Sequence, residues 1–314
     1  MFGLALDAFF DEVTVATRKE NTNSGTITIT DEADRAEGER VKDAGRTPTD
    51  PDANTAGLVA RAVMGKHGIT DDLDITIAKG VPMGLGLGSS AASAAASAVA
   101  LDRLYGLNLT RDELVMAAGR GEEASAGTVH YDNVAASIAG GFVMVRPGDP
   151  VTVARFKPAA DLRFCVAIPA MAVPDRKTEV SRGALPERIT LKDSTQNLAN
   201  ASLLAVALAT GDSSMLGSGI TEDVIAEPAR RHMIPGFDHI KRAALGAGAK
   251  EVMISGAGPS VIAVTTAGGA VRRRIAGAMA GGFRAAGTEC RTVICKPAGG
   301  ARAVPVGGGR AAAG

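Results

Sequence analysis

The amino-acid sequence predicts an α+β protein built as two domains, on three observations. At 314 residues the chain is long enough for two domains with a cleft between them. Strand-like and helix-like segments alternate irregularly, with antiparallel hairpins among them, which favours α+β over a doubly wound parallel sheet. Hydrophobic residues make up 46% but aromatic residues only 3%, so the core must be built from Ala, Val, Ile and Leu.

In chain order, residues 9–17 and 26–30 carry the β-branched alternation of strands. Residues 31–52 are charged and end in a Pro/Asp-rich stretch, which predicts a surface loop. Asn54 is placed to cap a helix running to about Lys66, with Gly68 just beyond its end. "DITIAK", 74–79, alternates as a strand and leads into a glycine-rich run. A helix over 112–126, a loop and the strand "GGFVMV" complete the first half. The "PGDP" turn at 147–150 predicts a boundary between an N-terminal domain, 1–150, and a C-terminal domain, 151–297. In the second half "FCVAIP" reads as a strand, 195–210 as a long apolar-faced helix, and 234–247 as a helix entered through Pro235 and Gly236. "EVMISGAGPSVIAV" reads as two strands around a glycine turn. Residues 298–314, rich in Gly, Ala and Pro, are expected to form a flexible tail.

Composition narrows the function. Lys plus Arg and Asp plus Glu both total 34, which argues against a nucleic-acid binder and offers no polybasic membrane patch. Cys165, Cys290 and Cys295 form no C-x-x-C pair, and Asp7, Asp11 and Glu12 interrupt any N-terminal signal sequence. Both features point to the cytoplasm, with the cysteines as small buried hydrophobes. The four histidines show no metal-ligand spacing.

The stretch "GVPMGLGLGSSAASAAASAVAL", 80–101, carries no charge. It has the length of a membrane span, but Pro82, its glycines and its serines suit a bilayer poorly. A flexible linker would lack the strong helix former at 91–101. An anion-binding loop accounts for every part. Gly84, Gly86 and Gly88 allow backbone conformations closed to other residues and let a ligand approach the main chain. Ser89 or Ser90 then caps a helix whose first N–H groups and dipole favour phosphate. A hydroxyl at the rim can also coordinate Mg²⁺. The loop is neither a Walker A sequence nor a G-x-G-x-x-G fingerprint.

Pro82, Gly86, Leu87, Gly88, Ser89, Ser90, Ala91 and Ala92 instead resemble the P-x-x-x-G-L-G-S-S-A-A motif of the GHMP kinases, the superfamily of galactokinase, homoserine kinase, mevalonate kinase and phosphomevalonate kinase. The resemblance implies an N-terminal domain like domain 2 of ribosomal protein S5 and a ferredoxin-like C-terminal α/β sandwich. It assigns the run of Pro82, Met83, Gly84, Leu85, Gly86, Leu87, Gly88, Ser89, Ser90, Ala91 and Ala92 to ATP. "GEEASAGTVHYDNVAASIAGGFV", 121–143, resembles the homoserine kinase branch, with Ala126 where serine is usual and Ala136 where proline is usual. That branch implies Mg²⁺ held by Ser90 and Glu122, and His130 and Asn133 facing L-homoserine. Asp132 is left between two roles, a general base or a brace for its loop.

Two further matches bear on the substrate. Thr178 and Arg182 fit T-x-x-A-R-x-x-L-P, with Ser181 replacing alanine, and Arg230 follows Glu227 and Pro228 at the E-P-x-R spacing. Two convergent guanidinium groups would grip an amino-acid carboxylate. "SGAGPS", 255–260, with Gly256, resembles the third GHMP motif, which closes the site from the second domain. The family's usual habit implies a homodimer. The resemblance begins at Phe2, and the family's opening motif, which supplies an asparagine and an aspartate to homoserine, has no counterpart. A truncated chain with an unpaired sheet edge and weak homoserine binding is expected on that ground. Mevalonate- or shikimate-type kinases and a non-catalytic binding relative stand as the alternatives.

Overall fold

Ile-, Val- and Thr-rich segments form three sheets among the described residues of the computed structural model, which are 1–32, 47–126, 129–172, 177–217 and 222–305. Most of the expected loop at 31–52 therefore lies outside the described residues, as does the expected tail beyond 305.

In the first half, β2 (Glu12–Thr17) pairs antiparallel with β4 (Leu73–Ala78), and β3 (Ile27–Asp31) pairs parallel with β4. The chain passes from β3 to β4 through helix α1 (Thr55–His67). Asn54 caps α1 as its sequence predicts, its side chain accepting from Ala56 N at 2.8 Å, and Gly68 ends it in the left-handed conformation. Three more helices pack together with α1: α2 (Ser89–Tyr105), α3 (Arg111–Ala126) and α4 (Tyr131–Ala139). Ala91, Ala94, Ala95 and Ala98 of α2 are buried at their centre, against Val59, Ala60 and Ile75. Small side chains let the helices approach closely. A Cβ on Gly121 of α3 would lie 2.8 Å from the backbone N of Val59 in α1. No helix of the described residues is long and apolar enough to cross a membrane.

A second sheet, β1 (Phe2–Leu4), β5 (Phe142–Arg146) and β6 (Thr152–Phe156), is antiparallel throughout. Because β6 pairs with β5, the first half runs to Phe156, past the limit of 150 read from the "PGDP" turn. Residues 297–301 also return to it. Ala298 N bonds Ala5 O at 2.9 Å and Ala301 N bonds Ser137 O at 2.8 Å, so the segment expected to hang free from 298 is held through 301.

The second half contains β7 (Arg163–Pro169), β8 (Glu251–Ile254), β9 (Val261–Thr265) and β10 (Cys290–Cys295), in the order β10-β7-β9-β8 and all antiparallel. Numbered from the first, that order is 4-1-3-2, the ferredoxin-like arrangement. Helices α8 (Phe237–Gly246) and α9 (Gly269–Ala285) cover one face. β7 is buried on both sides. Cys165 and Ala167 face those helices, whereas Phe164, Val166 and Ile168 face Leu85, Leu4 and Leu6 of the first half. Alternation along one strand thus joins the two halves through the nucleotide-loop candidate itself. Three further helices, α5 (Lys177–Gly183), α6 (Leu191–Thr210) and α7 (Ala226–Arg230), precede β8. α6 starts at Leu191, four residues before its expected start, because Thr190 caps it by accepting from Asp193 N.

Candidate active site

The glycine run is a loop from the end of β4 to the first turn of α2. Gly84, Gly86 and Gly88 have φ of 72°, 78° and 73°, where a side chain is strained. Gly88 itself is the cap residue of α2, and no side chain caps that end. The expected serine cap is therefore not formed. Ser89 and Ser90 are the first two residues of the helix itself, past the cap position, so neither can fill it. Ser89 is buried and donates to Val81 O at 2.9 Å, closing the loop, while the exposed Ser90 donates to Glu122 Oε1 at 2.8 Å. The first N–H groups of α2 thus have no side-chain cap, an arrangement that favours an anion.

"SGAGPS" closes the loop from the other half. Ser255 Oγ donates to Gly86 O at 2.9 Å, and Ser260 N bonds Leu85 O at 3.3 Å. Contact is so close that a Cβ on Gly86 would sit 2.3 Å from Ser255 O. Gly256, also left-handed, faces the same carbonyl of Gly86.

From Ser90 a continuous line of contacts crosses to the second half. Glu122, 1% exposed on α3, accepts from His130 N at 3.1 Å and lies 3.5 Å from His130 Nδ1. Arg182 of α5 lies 2.7 Å from His130 Nε2 through Nη2. A guanidinium only donates, so Nε2 accepts and the ring proton sits on Nδ1, towards Glu122. Arg230 of α7 donates from Nε to Ser181 O at 3.0 Å, next to Arg182. Burial holds the Arg230 guanidinium below its usual pKa, with the like charge of Arg182 adding to the effect and Asp223 opposing it. Arg230 and Gly256 also line a pocket of about 150 Å³, with Asp223, Glu227, Met253 and Ile254.

The remaining expected residues fall around this line. The side chain of Asn133 stands beside Gly88, within 3.8 Å of where a Cβ would be. Asp132 lies in the first turn of α4, where burial raises its carboxyl above the usual range and Oδ1 accepts from Asn133 N at 3.0 Å. Thr178 belongs to α5, but its side chain lies outside the described residues. Pro82 is buried and Met83 half-buried at the loop entrance; Leu85 and Leu87 anchor the loop on the sheet of the second half, beside Phe164 and Val166 of β7, and Ala91 and Ala92 continue α2. Asp11, Lys79 and Ser93 cluster beneath the loop, and sequence reasoning missed them. Asp11 lies 68 residues from Lys79, so no spacing could join them. The one available sign was Lys79 as the last charge before the uncharged run.

A helix end without a side-chain cap behind a glycine loop, an acid bonded to a hydroxyl beside it, and two neighbouring arginines of the second half are the parts a small-molecule phosphotransferase uses. Residues 54–141 match the family model of the GHMP kinases N terminal domain, and residues 204–281 that of the GHMP kinases C terminal. Homoserine kinase of Thermoplasma acidophilum is 40% identical over 83% of this chain and 77% of its own length. That of Arabidopsis thaliana is 39% identical over 83% of this chain and 68% of its own length. The crystal structure of homoserine kinase from Cytophaga hutchinsonii matches with a TM-score of 0.82 at 33% identity, covering 95% of this chain and 91% of that one. Mevalonate kinase of L. major, at a TM-score of 0.62 and 17% identity, shares the fold. The chain belongs to the GHMP kinases and, among them, to the homoserine kinases.

Proposed function

We propose that the chain transfers the γ-phosphoryl group of ATP to the hydroxyl of L-homoserine, giving O-phospho-L-homoserine for threonine biosynthesis. The observation that carries this reading is the unbroken line Ser90–Glu122–His130–Arg182, which runs from the N-terminus of α2 to the arginine pair. Phosphate chemistry and carboxylate recognition meet at its two ends.

Mg²⁺ fits the donor set. One hydroxyl and one buried carboxylate 2.8 Å apart offer the oxygen ligands a hard cation takes, and phosphate oxygens and water would supply the rest. When bound, the ion would neutralise charge on the β- and γ-phosphates. The chain's own residues do the remainder. The N–H groups of α2's first turn hold phosphate oxygens, and Gly86 and Gly88 let them approach. His130 N, bonded to Glu122, keeps that carboxylate aimed at Ser90. Arg182 and Arg230 take the substrate carboxylate, and Asn133, beside Gly88 of the loop, faces the substrate. In a loose phosphoryl-transfer transition state the nucleophile needs orientation more than deprotonation. We therefore assign Asp132 to bracing the α4 turn, with no committed base in the transfer. The three unpaired cysteines support a cytoplasmic setting.

A coupled ADP-release assay with homoserine, mevalonate and shikimate tests the assignment. Turnover should require homoserine; a preference for either of the others, or no ADP from any, would overturn it.

A further inference from the structure

Beneath the glycine loop lies a buried ion pair that the chemistry above does not use. Asp11, at the approach to β2, has a fully buried side chain, and that of Lys79, one residue past β4, is 7% exposed. Four donors converge on the single carboxylate. Oδ1 accepts from Gly80 N and Val81 N, both at 3.0 Å. Oδ2 accepts from Ser93 Oγ at 2.7 Å and from Lys79 Nζ. Lys79 Nζ in turn donates to Ser89 O and to Ser93 Oγ, both at 2.9 Å.

These partners sit at the two ends of the loop. Gly80 and Val81 are its entry; Ser89 and Ser93 lie in the first two turns of α2, its exit. Ser89 Oγ crosses the same gap to Val81 O. The segment leading into β2 presses against the entry so tightly that a Cβ on Gly80 would lie 2.1 Å from Phe10 O. Lys79 therefore cannot be a surface cation waiting for phosphate: its ammonium is already surrounded by three acceptors. Burial lowers its pKa, and the charges of Asp11 and Asp31 offset only part of that. A buried pair of this kind adds little net stability but leaves an uncompensated charge when one partner is removed. Its value lies in the geometry it imposes.

We propose that the Asp11–Lys79 pair is a positioning device that fixes the distance between the entry and exit of the nucleotide loop. With the mouth held at constant width, the N–H groups at the start of α2 and the hydroxyl of Ser90 keep their places before ATP arrives. Neither residue touches nucleotide; both act through Val81 and Ser89. This inference rests on the loop being the ATP site.

The test uses the full chain with Lys79→Met and Asp11→Asn, the second keeping an acceptor for Gly80 N and Val81 N while removing the charge. Calorimetric Kd values for a non-hydrolysable ATP analogue and for homoserine are measured beside amide hydrogen exchange and thermal melting. The ATP-analogue Kd should rise about tenfold in Lys79→Met, a misplacement effect, and less in Asp11→Asn, with homoserine Kd close to wild type. Exchange should quicken over residues 80–93 and not across the rest of the first half. Unchanged ATP affinity in a folded variant, equal weakening of both ligands, or uniformly faster exchange would overturn the proposal. So would failure of both variants to fold, which would assign the pair to global stability. Absence of ATP binding by the wild-type chain would instead refute the reading of the loop, and the exchange pattern would still decide whether the pair braces it.

Discussion

Gly86→Ala probes the joint between the two halves and the loop at once. Gly106→Ala supplies its control. Both glycines adopt positive φ, 78° and 59°, so both substitutions carry the left-handed penalty of about 1 kcal/mol. Their surroundings differ. Nothing lies within 4 Å of a Cβ on Gly106, whereas one on Gly86 would meet Ser255 O at 2.3 Å and Gly258 O at 2.6 Å. Both obstacles are backbone atoms and cannot rotate away, so the loop and "SGAGPS" must part by several tenths of an ångström. Overpacking of this kind adds about 1–3 kcal/mol. The sum is about 2–4 kcal/mol for Gly86→Ala against about 1 kcal/mol for Gly106→Ala. Parting the two segments also strains the Ser255–Gly86 hydrogen bond and displaces the residues that lead into Gly88. Urea denaturation midpoints and kcat/KM for ATP should therefore both fall further in Gly86→Ala, while Gly106→Ala keeps wild-type kcat/KM. Equal losses of stability in the two variants, with ATP kinetics intact in both, would refute the argument that this contact shapes the site.

Two further outcomes are expected. Arg182→Ala and Arg230→Ala should each raise the homoserine KM about tenfold or more, the worth of a charge-assisted carboxylate contact, with little change in the ATP KM; steady-state kinetics with each substrate varied would expose an unchanged homoserine KM, which would remove the clamp. Burial pushes the thiols of Cys165 and Cys295 up to about 11 and about 12 from 9.0, so the folded state keeps protons that the unfolded chain loses, and stability should fall as pH rises from about 9 towards 11, by roughly 2 kcal/mol from Cys165 alone. Urea midpoints across that range should decline less steeply in Cys165→Ala/Cys295→Ala; an identical slope would show that other groups govern the alkaline limit.

Local signals in the chain were enough to place α1 with its Asn54 cap and Gly68 stop, the strand before the glycine run, and the loop itself. Each depends on neighbours within a few residues, where backbone sterics and capping act. The candidate site was legible to the same degree where residues lie close in sequence, as for Ser90 with its loop and for His130 with Asn133. Tertiary structure decided the rest, because the deciding partners are distant in the chain. Ser90 looks like a helix cap until Glu122, 32 residues away, takes its hydroxyl. Residues 298–301 look like a free tail until Ala5 and Ser137 bind them. Asp11 shows in the sequence only as an early charge, and the fold makes it the acceptor for the loop entry, Gly80 N and Val81 N. A hydrogen bond or an ion pair is selected by which groups remain when water is excluded, and only the packed fold determines that choice.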